Sequence, residues 1–206
     1  GNATSNAAGL TVTSPIAITY IVESRSGGYN YANYYETGIW YNSTCKNTAS
    51  EGTSGIGSRW CTISSTAGTA VFQFTPIVGG NYEVFTTNCN TDNSGNPLIH
   101  KVSHSGGTAI IGVCQNSSCT KNAINKWYSL GQYVLNAGTT YNVTLDASTG
   151  AGSLPAGNAA RSDAIKWYTA GGSGTAPGIT QQPANQTVTA GGTVTFTVIA
   201  NGDAPV

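Results

Sequence analysis

The chain has no methionine, and only 8% of its 206 residues are charged, eight basic against eight acidic. A chain without Met does not begin at its initiator codon, so Gly1 reads as a processed or trimmed end with a signal peptide already gone. Sparse, balanced charge excludes the electrostatic footprint of a nucleic-acid or anionic-membrane binder. No apolar run reaches the roughly 18 residues a membrane span requires. No stretch keeps helical periodicity over three turns. The Gly-x-Ser-x-Gly elbow, the His-Glu-x-x-His zinc motif and a phosphate-binding loop are all missing. Histidine occurs only at His100 and His104. On a strand these share a face about 13 Å apart, too far for one metal ion, and they read as exposed strand residues. The carboxylates are scattered. Glu23 and Glu36 flank a Tyr-rich loop and are the one pair suggestive of glycosidase chemistry, although a solvated carboxylate beside a Gly turn is the plainer reading. Asp163 precedes a short apolar run and suits a turn cap or a structural calcium better than catalysis. No calcium-ligand loop is legible, and no other cofactor is implied.

What the chain has in quantity is glycine, 27 residues, with abundant Asn, Ser and Thr. That composition favours many turns and short strands. Strands are expected at Leu10–Ser14, Ile16–Val22, from Ile39, at Arg59–Ile63, Ala70–Phe74, Asn81–Thr87, Leu98–His104, Ala109–Cys114, Trp127–Leu135, Tyr141–Leu145 and Ala164–Trp167. The run Leu130–Leu135, Asn136-Ala137-Gly138, Tyr141–Leu145 carries a hairpin signal. Ala70–Phe74 and Asn81–Thr87 read as a second hairpin around Pro76–Gly80. The fold class is all-β, a jelly-roll-type β-sandwich.

The pattern Trp127, Leu130-Gly131, Tyr133, Leu135-Asn136-Ala137-Gly138, Val143, Leu145, then Ser162-Asp163-Ala164-Ile165-Lys166-Trp167, resembles the closing half of golvesin C-terminal-like domains. Tyr20–Thr44 is similar to that family's opening and Thr69–Thr87 to its central hairpin. The resemblance covers residues 18–170 and implies a β-sandwich module appended to secreted bacterial enzymes such as xanthan lyases, with attachment to polysaccharide as the implied class of function. The stretch Asn88–Asn125, with its three cysteines, departs from the family pattern, so no binding surface is carried over there.

Four regions follow: 1–17 as an extension and first strand, 18–170 as the sandwich, 171–178 as a Gly/Ser/Pro linker, and 179–206 as a tail. The tail resembles the opening strands of a bacterial immunoglobulin-like domain. About 28 residues cannot enclose a core of their own. Thr193, Val194, Thr195, Phe196, Thr197, Val198 and Ile199 therefore read either as the start of a longer, cut domain or as a strand donated to a neighbouring subunit.

Five cysteines, Cys45, Cys61, Cys89, Cys114 and Cys119, suit an oxidising, extracellular or cell-surface location. Cys45 and Cys61 bracket a Gly/Ser/Thr loop that a disulfide between them would staple. Two of the other three pair, and one thiol stays free or bridges to another chain. Asn-x-Ser/Thr sequons occur at Asn2, Asn42, Asn116, Asn142 and Asn185. Tyr29, Tyr31, Tyr34, Tyr35, Trp40 and Tyr41 crowd one short stretch. They form a candidate platform for sugar rings, set against the plainer reading that Trp40 and half the tyrosines pack the core. The reading is a non-catalytic, secreted module that binds polysaccharide or a cell-surface glycan. The alternative is a structural subunit of a filament, a homopolymer built through its C-terminal strands.

Overall fold

The computed structural model describes residues 17–45, 52–89, 91–119, 126–170 and 178–201. The expected Leu10–Ser14 strand, the sequon at Asn2 and linker residues 171–177 lie outside them. One compact unit spans Ile18–Thr169; the described part of a second comprises Ala17, Ala170 and residues 178–201.

In chain order the strands of the first unit are β1 Ile18–Glu23, β2 Tyr34–Glu36, β3 Tyr41–Ser43, β4 Ser58–Thr62, β5 Thr69–Phe74, β6 Gly80–Thr87, β7 Leu98–His104, β8 Gly107–Val113, β9 Tyr128–Leu135, β10 Tyr141–Asp146, β11 Ala159–Ser162 and β12 Ala164–Thr169. A four-stranded sheet runs β1-β12-β6-β9 and a five-stranded sheet β2-β5-β10-β7-β8. A small third sheet, β11-β4-β3, supplies a rim. Period-two alternation fixes the faces. Tyr82, Val84, Leu135, Ile165 and Trp167 point inward from the first sheet, and Phe72, Phe74, Leu98, Val102, Val143 and Leu145 from the second; all are buried. The layers meet at Phe74, whose ring centroid lies 5.3 Å from Trp167 and 5.5 Å from Tyr82. This is a β-sandwich. None of the described residues forms a helix long and apolar enough to cross a membrane.

Both expected hairpins are corrected. β9 pairs with β6, whereas β10 pairs with β5 and β7. Likewise β5 pairs with β2 and β10, and β6 with β12 and β9. Each turn signal therefore marks a crossing between layers. The two crossings are tied to each other: Gly138 N–H donates to Pro76 O (2.8 Å), and the Thr75 and Thr140 hydroxyls are 2.8 Å apart. A turn residue preference specifies that the chain reverses, not which strand it then pairs with; inward-facing aromatics on both flanking strands made opposite layers the better solution. β7 and β8 do form a hairpin. β2 falls at the end of the expected Tyr-rich loop, and β11 was not expected at all.

His100 is corrected as well. It is fully buried on the inner face of β7, with Nε2 3.3 Å from Thr86 Oγ1 of the opposite sheet and Nδ1 3.1 Å from Leu98 O. Burial pushes its pKa down to about 4.

The cysteines pair as Cys45–Cys89 and Cys114–Cys119, leaving Cys61 as a buried thiol. The Cys45–Cys61 staple does not form. The β3–β4 register sets Tyr41 against Trp60 and Ser43 against Ser58, carrying Cys45 away from Cys61. Cys61 instead joins the core, where burial, reinforced by Glu36, pushes its thiol up to about 12.

In the second unit, β13 (Gly178–Gln181) pairs antiparallel with β14 (Ile199–Asn201). The expected strand over Thr193–Ile199 is largely absent: only Ile199 falls in a strand, and Phe196, Val198 and Ile199 are each at least half exposed. So short a segment offers no second layer for them to face.

Candidate functional site

The chain leaves β1 through Ser24, Arg25 and Ser26 and returns through a single 3-10 turn, Tyr31–Asn33. Asn30 starts that turn at φ 49°, a left-handed conformation Asn tolerates better than most residues. Its Nδ2 donates to Ile21 O (2.6 Å), and Asn33 Nδ2 donates to the Tyr20 hydroxyl (2.6 Å). These bonds hold Tyr31 at the mouth of a cleft of ≈ 280 Å³ lined by Ser24, Arg25, Ser26, Tyr31, Glu36, Asn42 and Arg59.

The cleft is built on one ion pair. Arg59 on β4 donates from Nε to Glu36 Oε1 (2.6 Å) and from Nη2 to Glu36 Oε2 (2.7 Å). The same guanidinium reaches Trp40 O (2.8 Å) and Asn42 Oδ1 (2.5 Å). The hydrogen bonds to Glu36 hold the Arg59 pKa above its ordinary value. Tyr34 lies buried beneath; its hydroxyl donates to Glu36 Oε1 (2.7 Å), and burial pushes its phenol far up, so it stays a donor. Two-point pairing fixes the plane of Arg59 and hence the direction of Asn42. The result is a rigid polar floor beside one exposed aromatic ring.

The structure does not gather the six aromatics into one platform. Tyr31 lines the cleft. Trp40 is only 6% exposed, with Nε1 donating to Thr37 O (3.1 Å), and Tyr34 is 8% exposed; both belong to the core. Strand alternation turns Tyr41 to the other side of β3 from Asn42, where its ring meets Trp60 at 5.2 Å. Tyr29 and Tyr35 are exposed but do not line the cleft.

Glu23 and Glu36 form no acid/base pair. The Glu36 oxygens are held by Arg59 and Tyr34. Glu23 is buried and accepts from Tyr29 N–H (3.1 Å) and from the amide and hydroxyl of Ser54. Asp163 is buried before β12, and its carbonyl accepts from Ser24 N–H (2.8 Å). Among the described residues no three His, Cys, Asp or Glu side chains gather as a metal cluster. Of the described sequons, Asn42 lines the cleft, Asn185 is exposed, Asn142 accepts from Gln73 (3.1 Å) and Asn116 donates from Nδ2 to Ser94 O (3.3 Å).

Sequence reasoning missed Arg25 and Arg59 altogether. For Arg59 the available signal was a charged residue opening the strand-like run Trp60-Cys61-Thr62-Ile63: an arginine on a strand that carries core residues must itself be neutralised close by.

Fold and cleft together define an all-β sandwich module with a small polar site at its rim. The chain belongs to the Golvesin C-terminal domain family, whose model matches residues 29–168. It is similar to part of a Paenibacillus xanthan lyase, at 22% identity and a TM-score of 0.56, covering 72% of this chain and 13% of that one. It is also similar to a family 35 carbohydrate binding module from Clostridium thermocellum (11% identity, TM-score 0.46, 75% of this chain and 99% of that one). A Podospora anserina GH26-CBM35 β-(1,4)-mannanase matches at 16% identity and a TM-score of 0.46, over 75% of this chain and 28% of that one. The match thus spans well under a third of the lyase and of the mannanase. No curated protein matches the chain.

Proposed function

We propose that this chain is a non-catalytic, extracellular carbohydrate-binding module and that the Tyr31 cleft is its sugar site. The observation that carries the reading is the adjacency of an exposed Tyr31 ring to a fixed array of Glu36, Asn42 and Arg59. A sugar presents an apolar C–H face and a set of hydroxyls. An aromatic plane takes the first, and the Asn42 side-chain N–H groups with the remaining acceptor site on Glu36 Oε2 take the second. At ≈ 280 Å³ the cleft falls just below the usual ligand-site range of roughly 300–1,000 Å³, which suits a single ring or chain end rather than a long polymer groove. The non-catalytic part of the reading is supported by Glu23 and Glu36, whose oxygens are committed to internal hydrogen bonds. The extracellular part is supported by the two disulfides. The carbohydrate part of the reading is supported by the fold shared with part of an enzyme named for a polysaccharide.

Affinity electrophoresis of the chain through gels containing a panel of polysaccharides tests the proposal. Retardation by at least one polymer is expected, with Tyr31→Ala weakening it about tenfold, as loss of a stacked aromatic would. Retardation unchanged in Tyr31→Ala would move the site elsewhere, and no retardation by any polymer would remove the function.

A further inference from the structure

We infer that the ligand of this cleft is an acidic polysaccharide, one whose rings carry carboxylates, and that Arg25 selects it; the inference rests on the reading of the cleft as a sugar site. Three formal charges line the cleft, on Arg25, Glu36 and Arg59. Glu36 and Arg59 cancel each other through the two-point pair. Arg25 has no carboxylate within ion-pair distance among the described residues. Its Nη1 donates to Ser43 O (3.1 Å) and Ser58 O (3.4 Å), which orient the guanidinium without neutralising it. Its Nε and Nη2 make no hydrogen bond among the described residues.

Gly57 packs against both the Ser43 carbonyl and this side chain. Gly57, at φ 138°, lies where a Cβ would come within 3.1 Å of Arg25 Nη1. The neighbouring carboxylate of Glu23 is buried, does not line the cleft, and has its oxygens committed to Ser54 and Tyr29. In a chain whose charges sum to zero and make up only 8% of residues, a cation lining a cleft with no ion-pair partner among the described residues is a local feature, not a product of overall charge. A guanidinium held at one nitrogen presents its remaining edge as a fork that fits a carboxylate at two points. A partly enclosed site strengthens that pairing relative to open water. A ring stacked on Tyr31 and bearing a carboxylate toward Arg25 satisfies both features of the cleft at once.

The test compares polygalacturonate, alginate and hyaluronate, each beside its carboxyl-reduced form, by affinity electrophoresis and titration calorimetry with the whole chain. Wild-type chain is expected to bind at least one acidic polymer about tenfold or more tighter than its reduced form, with affinity falling as salt rises. Arg25→Gln should lose that preference, and Arg25→Lys should keep part of it. Equal binding of acidic and reduced forms overturns the inference, as does an Arg25→Gln variant that retains the full preference. Binding of neutral polymers alone, abolished in Tyr31→Ala, overturns the acidic selectivity and leaves the sugar site standing. Binding of no polymer at all overturns both. Circular dichroism checks that Arg25→Gln is folded; if it is not, the wild-type comparison of acidic and reduced polymers still decides the question.

Discussion

The two units of this chain carry similar β-type sequence and reach opposite ends. In the sandwich, Phe72 alternates with polar and apolar neighbours on β5 and is fully buried. In the tail, Phe196 sits in TVTFTVI, a cleaner alternation by eye, and is 56% exposed. β pattern marks residues that fit a half-buried surface, but a strand gains burial only when a second layer faces it. The sandwich has two layers meeting through Phe74, Tyr82 and Trp167; the described part of the tail has one short strand pair. The largest expected effect tests this directly. Phe72→Ala should cost about 3–5 kcal/mol in chemical denaturation, the range for emptying a large aromatic site in a packed core. A loss under about 1 kcal/mol would mean the sandwich core is loosely packed after all.

The disulfides sharpen the same contrast, since both lie in the sandwich unit. Cys45–Cys89 closes a span of 44 residues and Cys114–Cys119 one of 5. Chain-entropy arguments then give about 4 kcal/mol for the longer closure and about 2 kcal/mol for the shorter. The Cys45→Ser/Cys89→Ser pair should therefore lower the melting temperature more than the Cys114→Ser/Cys119→Ser pair. The reverse order would show that the Cys114–Cys119 loop braces more of the fold than its length implies.

Much of this architecture was legible in advance, and the failures share a cause. Alternation located β5, β6, β7, β8, β9, β10 and β12 to within a few residues, because each carries inward aromatics or branched aliphatics at period two. Pairing was not legible. Asn136-Ala137-Gly138 states that the chain turns, but whether it turns within a sheet or between sheets depends on partners far away in sequence, β6 for one strand and β5 and β7 for the other. The Cys45–Cys89 link was hidden for the same reason: its ends are brought together by tertiary structure, whereas Cys61, nearer in sequence, is claimed by the core. The candidate site was half legible. The Tyr-rich stretch pointed to the right loop, but Arg25 at the start of that loop was passed over, and Arg59 enters the cleft from β4.

His100 gives the next effect. Its folded pKa of about 4 lies below the ordinary imidazole value near 6.5. Above about pH 6.5 the ring is neutral folded or unfolded, so stability does not depend on it. Between about 6.5 and 4 the unfolded chain binds a proton that the native state refuses, so stability falls as pH falls, by about 3 kcal/mol in all. Replacing His100 with Gln should flatten that part of the stability–pH curve. An unchanged slope would mean the ring finds a proton-tolerant position that its bonds to Thr86 and Leu98 do not suggest.

The smallest effect closes the comparison from the other side. Phe196→Ala should change unfolding of the sandwich by less than about 0.5 kcal/mol, as substitutions at exposed positions do. The value of this measurement lies in its failure. Phe196, Val198 and Ile199 present apolar surface that nothing among the described residues covers, so any partner that buries it would turn a silent position into a costly one. A loss above about 1 kcal/mol that is independent of protein concentration would place a cover within the same chain. A loss that grows with concentration would place it on a second copy, because binding to the folded state stabilises by mass action. Either result would show that the alternation in TVTFTVI had been a correct signal of burial, read in a unit whose second layer lies beyond its own strands.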